Sequence, residues 1–394
     1  MIQNPFKDWN RDFKLLAVAI YANGIYFGIR LTLYNNFIVD RLGIEPHQLG
    51  YIESLREVPG FLNVLFIALM IRLPPQIVGG ISLVVMGMGI GAFAELTTIT
   101  QLTLFSLVGS IGFHCWIPTQ QALSLEYSPP GEKGRWLGQL RSVSSAGWLL
   151  TVGFCIVAYD FLQYEGLFLL AGAAAALGGL AIMFASRPSR PETEKGFVLK
   201  RRYWVYYALN VLQGVRRQMF ITFAVFALVK IHGMPVKTTM MLVLINQVLI
   251  MLSSPKIGRM LDRYGERRML SVSYFCLTLI FTGYAVITDR PILYVLFCLD
   301  NLVFFGPMAM TTYLNKIATK EDLRPTLSMG VTMNHVAAVI GPVIGGYVWE
   351  AYGYQVIFFS GAILAFVSLG LSQFVDPEGL LKKEAELEQA GHSA

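Results

Sequence analysis

Twelve apolar stretches, each long enough to cross a membrane, dominate this sequence of 394 residues. Crossing about 30 Å of hydrocarbon as an α-helix takes roughly 20 predominantly apolar residues. Charged residues make up only 14% of the chain, whereas about a quarter of the residues of soluble domains are charged. The sequence therefore predicts an all-α membrane protein with twelve transmembrane helices. The predicted spans are 12–38, 48–73, 76–97, 99–125, 135–159, 164–186, 203–230, 237–257, 268–288, 291–316, 325–350 and 353–375.

The distribution of lysine and arginine predicts the orientation, because loops rich in these residues stay on the cytoplasmic side. With both termini inside, the predicted cytoplasmic segments carry 22 of these residues and the external loops carry four. We therefore expect both termini to be cytoplasmic. The net charge of +6 needs no nucleic acid as a partner, since the basic loops would face anionic lipid of the inner leaflet.

A polar segment, "SRPSRPETEKGFVLKRR" (186–202), separates six predicted helices from six others. It predicts four parts: an N-terminal six-helix bundle (1–186), a cytoplasmic linker (187–202), a C-terminal six-helix bundle (203–376) and a polar tail (377–394).

A repeat supports this division into two halves. The stretches "YANGIYFGIR" (21–30) and "YALNVLQGVR" (207–216) share the pattern Y-A-x-x-[IV]-x-x-G-[IV]-R, each in the first helix of its half. Transporters built from two such repeats bind substrate near the membrane midplane between the halves.

The segment "GRMLDRYGERRML" (258–270) resembles the loop signature G-x-x-x-D-R-x-G-x-R-R of the major facilitator superfamily. With the helix count, linker and repeat, the resemblance covers essentially the whole chain. It implies a monomeric transporter with that fold and without cofactors, in this case of a prokaryotic cytoplasmic (inner) membrane. Asp262 and Arg263 of the signature would latch the cytoplasmic side during the transport cycle, or the arginines of this loop serve only to set the topology.

Five basic residues fall inside predicted helices, namely Arg30, Arg56, Arg141, Arg216 and Arg217. A charge at the bilayer centre costs about 2.5–3.5 kcal/mol, so such residues usually face a cavity and mark a transport pathway. Arg216 lies 14 residues from both Arg202 and Lys230, about 21 Å along a helix in either direction. The repeat then predicts that Arg30 and Arg216 face each other across a central cavity.

Two interpretations of these arginines remain open. In the first, Arg30 and Arg216 clamp a shared anion, because guanidinium groups match carboxylate and phosphate oxygens. That arrangement resembles organophosphate:phosphate antiporters of the superfamily, in which helices 1 and 7 each supply an arginine.

In the second interpretation, protein carboxylates neutralise the arginines, with Glu57 pairing with Arg30 and Asp300 with Arg216 or Arg217. Glu57 and Asp300 would then carry protons, or they would form structural pairs with Arg56 and Arg217. Arg141, close to the start of its helix, extends to the interface or joins the inner gate.

Other polar residues fall at similar depth and have structural alternatives. His114 and His335 either bind substrate or shuttle a proton, or they form ordinary interhelical hydrogen bonds. Tyr21 and Tyr207 supply cavity hydroxyls or pack as rings. The predicted substrate-binding residues are Arg30, Arg216, Tyr21, Tyr207, His114, Asn246, Gln247 and His335. The predicted coupling or gating residues are Glu57, Asp300, Arg56, Arg217, Arg141, Asp262 and Arg263.

The sequence therefore predicts a secondary active transporter that moves a small organic or phosphorylated anion by alternating access. It carries no Walker loop for nucleotide binding, so a proton or an exchange counter-ion would supply the energy. The alternative function is a proton-coupled exporter or flippase of amphiphilic or lipophilic compounds. No nucleophile–base pair and no set of metal ligands indicates an enzyme or a metal site, and no cofactor is expected.

Overall fold

The structure is a computed structural model that describes residues 9–70, 72–129, 132–187 and 199–380. These residues form eleven α-helices and no β-strand. Most of the predicted linker and of the polar tail lies outside the described residues. The helices are α1 (Arg11–Asp40), α2 (Pro46–Leu69), α3 (Pro75–Gly91), α4 (Ile99–Glu126), α5 (Lys133–Met183), α6 (Trp204–Lys230), α7 (Val236–Val286), α8 (Arg290–Val303), α9 (Gly306–Ile317), α10 (Lys320–Tyr352) and α11 (Tyr354–Ser372).

Side-chain caps define the starts of several helices. The first N–H groups of a helix have no intrahelical acceptor, so a polar side chain just before the helix stabilises it. Asn10 accepts a hydrogen bond from the backbone N–H of Phe13 at the start of α1, and Thr98 accepts one from Gln101 at the start of α4. Asp289 and Thr319 cap α8 and α10 in the same way.

Eight helical segments of the described residues are long and apolar enough to cross a membrane. The helices α2 and α6 have 24 and 27 residues and are also long enough to cross. They contain the charged runs "ESLRE" (53–57) and "RR" (216–217), which lower their apolar content. The chain is therefore an all-α, multi-pass membrane protein, while the count of twelve crossings stays a prediction.

The two longest helices each contain one residue with non-helical backbone angles. In α5 this residue is Gln163 (φ 51°, ψ −162°), and in α7 it is Gly265 (φ 77°, ψ 165°). Each break separates two of the predicted spans. Gly265 belongs to the signature segment, and glycine adopts positive φ without the steric penalty that a Cβ brings. The loop of the signature segment thus consists of one glycine between two helical arms.

The predicted span 291–316 coincides with a segment that is long and apolar enough to cross a membrane, Arg290–Ile317, but two helices form it instead of the one that was predicted. The helix α8 ends at Val303, and α9 begins at Gly306. Pro307 lies in the first turn of α9, where a residue without an N–H group is tolerated. The hydroxyl of Ser273 in α7 donates to the carbonyl oxygen of Val303 at 2.7 Å. A side chain thus satisfies one of the carbonyl groups that the interruption releases.

The described chain divides into two compact units. The first unit comprises residues 1–44, 55–193 and 234–244. Within it, α3 and α4 cross at glycines, since a Cβ on Gly89 would lie only 2.6 Å from the Cα of Gly109. The start of α7 is held to α1 by Asn36, whose amide donates to the carbonyl oxygen of Met234 at 2.8 Å and accepts from Thr239 at 2.7 Å. Glycine contacts and buried amide bonds thus fix the helices of this unit.

The second unit comprises residues 45–54, 194–233 and 245–394. In it, the start of α2 packs directly on α10, because a Cβ on Gly346 would lie 2.5 Å from the carbonyl oxygen of Pro46. Lys230 at the end of α6 pairs with Glu45 at 2.8 Å. A cluster of aromatic rings from α6, α7 and α11 fills the interior beside these contacts, with Phe220 packed against Tyr284 at 5.9 Å and Tyr284 stacked on Phe358 at 4.8 Å.

We expect Gly89→Ala to lower the free energy of unfolding by about 1–3 kcal/mol, because the added methyl group meets backbone atoms that cannot move aside. The control is Gly153→Ala in α5, where nothing lies within 4 Å of an added Cβ. Alanine is the better helix former there and should raise stability by up to about 1 kcal/mol. Thermal unfolding in detergent measures both changes. A Gly89→Ala variant that melts at or above the wild-type temperature contradicts the close crossing.

Candidate functional site

The guanidinium group of Arg216 is the most deeply buried charge among the described residues, with only 1% of the residue exposed. The helix α6 places it near its midpoint. The nearest acid is Asp300 of α8, whose Oδ1 lies 3.9 Å from Nη1 of Arg216. None of the three side-chain nitrogens of Arg216 has a hydrogen-bond partner among the described residues. The two groups thus attract each other across a gap too long for a hydrogen bond.

Aromatic rings enclose the same guanidinium. Its central carbon lies 5.6 Å from the ring centre of Phe281 and 5.2 Å from that of Phe304. The next residue, Arg217, lies 4.8 Å from the ring centre of Phe304. Both arginines therefore make cation–π contacts with one ring, a contact that gains strength away from water. Phe304 occupies this position because it lies in the interruption between α8 and α9.

Arg216 and Asp300 form a buried ion pair that lacks the hydrogen bonds by which such pairs are usually stabilised in a protein interior. Burying an ion pair is costly unless good geometry and further hydrogen bonds compensate the lost hydration. Oδ1 of Asp300, a residue only 4% exposed, also has no hydrogen-bond partner among the described residues. A guanidinium carries five N–H donors and needs acceptors for them. The site is therefore suited to receive an acceptor, either an oxyanion or a repositioned Asp300.

Further polar side chains of the second unit are buried or half-buried. The hydroxyl of Tyr274 donates to Oε1 of Gln213 at 3.4 Å, and both residues are buried. Asn246 is buried and Gln247 is half-buried on α7. His335 is half-buried on α10. Tyr207 packs edge-on against Tyr206 at 5.8 Å.

In the first unit, Glu57 of α2 lies between two basic groups. Its Oε1 is 3.0 Å from Nη2 of Arg56, and its Oε2 is 3.8 Å from Nε2 of His114 on α4. The hydroxyl of Ser110 donates to the carbonyl oxygen of Arg56 and lies 3.1 Å from Nδ1 of His114. The carboxylate thus meets Arg56, one of the two partners considered from the sequence. The guanidinium carbon of Arg30 lies 5.2 Å from the ring centre of Tyr34.

Two predicted residues, Arg141 and Tyr21, remain. Arg141 lines a cavity between α4 and α5 together with Gln120, Gln121 and Ser144. Tyr21 is half-buried, and its backbone packs against Gly147 of α5.

In the signature segment (258–270), the acid that forms an ion pair is Glu266, which the sequence analysis did not select. Asp262 and Arg263 are both exposed. Glu266, three residues beyond Arg263, is buried and pairs with Lys316 of α9 at 2.8 Å. The proposed latch through Asp262 and Arg263 stays a prediction.

A sequence model of the Major Facilitator Superfamily matches residues 15–306 and 206–394. The chain belongs to the major facilitator superfamily. It is accordingly a transporter rather than an enzyme, and its membrane context and small-molecule substrate follow from the family. The resemblance seen in the signature segment is confirmed at the level of the superfamily.

Several superfamily transporters are similar to this chain. A multi-drug resistance efflux pump PmrA homolog of Lactococcus lactis subsp. lactis (strain IL1403) is 22% identical over 294 residues, which cover 70% of this chain and 72% of the relative. The crystal structure of the nucleoside transporter NupG matches with a TM-score of 0.75 and 16% identity, over 92% of this chain and 99% of that one. A bacterial homolog of the human lysosomal transporter Spinster, in an inward-facing and unoccupied conformation, matches with a TM-score of 0.73 and 12% identity, over 94% and 97% of the two chains. At such identities the structural matches show the fold alone.

The sequence analysis did not identify two residues of the Arg216 site. Phe304 was not selected, although "GP" at 306–307 signals a helix interruption just after it. Gln213 was not selected either, because a single glutamine in an apolar helix carries no periodic signal.

We expect Asp300→Asn to destabilise the protein by about 3 kcal/mol, because it removes the charge opposite a buried guanidinium. Replacing both partners by apolar groups of similar size should restore most of the stability. The comparison therefore needs Asp300→Asn, Asp300→Leu, Arg216→Met, and the double variant Arg216→Met with Asp300→Leu. Thermal unfolding of the last three and of the wild type measures the coupling. If Asp300→Asn melts like the wild type, Arg216 and Asp300 do not stabilise each other.

Proposed function

We propose that this superfamily member is a secondary active transporter of a small organic or phosphorylated anion. The observation that carries the proposal is the buried guanidinium of Arg216, which makes no hydrogen bond to any described residue. An oxyanion would accept two or more of its N–H donors, since guanidinium and carboxylate or phosphate groups match in geometry. Arg217 adjoins it on the same ring and adds a second positive charge to attract the anion.

Asp300 gives this site a means of coupling. When an anion takes over the contact with Arg216, the buried carboxylate of Asp300 loses its counter-charge. An isolated buried carboxylate favours its protonated form. Anion binding at Arg216 and proton binding at Asp300 would then promote each other, as in a symporter. Alternatively, a second anion would replace the first, as in an antiporter.

Arg30 occupies the position of the repeat that corresponds to Arg216, and we propose that it also serves the anion. The proposal also includes the arrangement in the membrane. The chain crosses a prokaryotic inner membrane twelve times, with both termini in the cytoplasm. The protein acts as a monomer. The excess of lysine and arginine in the predicted cytoplasmic segments supports this orientation.

A second candidate function is proton-coupled export of amphiphilic or lipophilic compounds. The contacts of Glu57 with Arg56 and His114 favour it, because breaking those contacts during the transport cycle would leave a buried carboxylate that takes up a proton. The relative from Lactococcus lactis is named a multi-drug resistance efflux pump homolog, which also supports this candidate.

Thermal unfolding of the purified protein with added compounds separates the two candidates. A ligand that binds the folded state at 100 times its Kd stabilises it by about 2.7 kcal/mol. We expect phosphate, a phosphate ester or a carboxylate to raise the melting temperature of the wild type, and Arg216→Gln to abolish the increase.

The matched control is Arg259→Gln, which removes an exposed arginine of the signature segment and should leave the increase intact. If only lipophilic cations raise the melting temperature, and Arg216→Gln responds like the wild type, then the anion proposal is wrong and the export candidate takes its place.

A further inference from the structure

A cavity of about 430 Å³ lies within the first unit, between the end of α4 and the start of α5. Cavities of about 300–1,000 Å³ hold small molecules in proteins. We propose that this cavity binds an N-acylated aliphatic amino acid, a compound with one carboxylate, one amide and one apolar side chain. The inference goes beyond the proposed function, because it concerns a site in the first unit, whereas Arg216 belongs to the second.

The positive charge in the lining is Arg141. It lies eight residues after Lys133, the first residue of α5, which is about 12 Å along a helix. A charged side chain at such depth usually faces a water-filled cavity, because exposure to lipid is costly. No side-chain hydrogen bond or ion pair joins Arg141 to another described residue. Its N–H donors are therefore available to a carboxylate, which a guanidinium matches in geometry.

Two neighbouring glutamines, Gln120 and Gln121, add carboxamide groups to the same lining. Neither carboxamide forms a hydrogen bond with any other residue that the structure describes. Each has one acceptor oxygen and an NH₂ donor, so the pair matches both the N–H and the C=O of an amide. Ser124 does not compete for the ligand, because its hydroxyl donates to the carbonyl oxygen of Gln120 at 2.7 Å. The lining therefore suits an amide in addition to a carboxylate.

The apolar part of the lining is aliphatic and consists of Leu125, Leu137 and Leu140. These side chains suit a branched aliphatic group, whose burial the hydrophobic effect favours. No acidic residue is among the described residues that line the cavity. An ammonium group would therefore lose hydration here without gaining a counter-charge. This favours an N-acylated amino acid over a free one, since acylation replaces the ammonium group by a neutral amide.

Three related compounds test the ligand class by calorimetric titration of the full-length purified protein. N-acetyl-leucine, leucine and 4-methylpentanoate share the carboxylate and the branched aliphatic chain. Leucine carries an ammonium group in place of the amide, and 4-methylpentanoate carries neither group. We expect N-acetyl-leucine to bind about tenfold more tightly than either of the others, because its amide forms two further hydrogen bonds.

The variant Gln121→Leu tests the contact with the amide. We expect it to weaken binding of N-acetyl-leucine about threefold to tenfold and to leave binding of 4-methylpentanoate unchanged, because only the first compound has an amide. A merely structural role of Gln121 would alter both affinities alike. The matched control is Gln355→Leu, which removes an exposed glutamine of α11 in the second unit and should bind both compounds like the wild type.

The variant Arg141→Gln tests the contact with the carboxylate. We expect it to weaken binding of N-acetyl-leucine and of 4-methylpentanoate at least about tenfold, because both compounds lose hydrogen bonds to a charged group. Unchanged affinity for N-acetyl-leucine in Arg141→Gln or in Gln121→Leu overturns the cavity site. Equal binding of leucine or 4-methylpentanoate to the wild type overturns the ligand class, and so does absence of binding by N-acetyl-leucine.

The variant Arg216→Gln separates this proposal from the proposed function. If Arg216→Gln abolishes binding of N-acetyl-leucine and Arg141→Gln does not, the compound binds at Arg216, and the cavity proposal fails while the proposed function gains support. If Arg141→Gln weakens binding and Arg216→Gln does not, the cavity proposal stands, whether or not an anion binds at Arg216. If both variants weaken binding, the effect of Gln121→Leu on N-acetyl-leucine alone decides whether the compound occupies the cavity.

Discussion

The interaction on which the site depends is the attraction between Arg216 and Asp300 inside a membrane protein. A guanidinium cannot lose its proton at any ordinary pH, so the protein must supply a counter-charge wherever it buries one. Here the counter-charge lies 3.9 Å away and leaves the N–H donors of the arginine without hydrogen bonds to the described residues. A pair held at that distance is less stable than a closely bonded one. Less free energy is therefore lost when either group changes its partner than would be lost from a closely bonded pair.

The interruption between α8 and α9 shapes this site. It places Phe304 against both arginines, so that an apolar ring replaces some of the stabilisation that water would otherwise provide. Non-helical backbone at membrane depth is tolerated only where protein or a cavity surrounds it. Interrupted helices near a buried charge are also a common way to build binding sites in transporters. The interruption and the charges are thus parts of one arrangement.

The two units place an arginine beside a carboxylate in different ways. In the first unit, Arg56 and Glu57 meet at 3.0 Å, and His114 approaches the same carboxylate. In the second, the pair is longer and is surrounded by rings. The relatives of known structure share the overall fold at 12% and 16% identity, and their names cover nucleosides and a lysosomal transporter. A shared fold hosts many substrates, so the fold alone does not identify the substrate of this protein.

The sequence by itself determined the positions of the helices and the identity of the deep charges. A helix in a membrane must satisfy its own backbone and be apolar over about 20 residues, so its position is a local property that hydropathy reveals. The predicted spans match the described helices to within seven residues at each end, except where Pro307 interrupts 291–316. Arg30, Glu57, Arg216 and Asp300 were visible because charge is rare in such segments.

Only the tertiary structure decided which of these groups meet. The contact of Glu57 with Arg56 at 3.0 Å, and its approach to His114 at 3.8 Å, could not be derived from the sequence. The ring of Phe304 carried no signal as a functional group, because phenylalanine is an ordinary residue in apolar helices. Side-chain partners depend on the rotation and packing of neighbouring helices, which join residues far apart in the chain. Hydropathy fixes how deep a residue lies in the membrane, and the packing of the helices fixes what it faces.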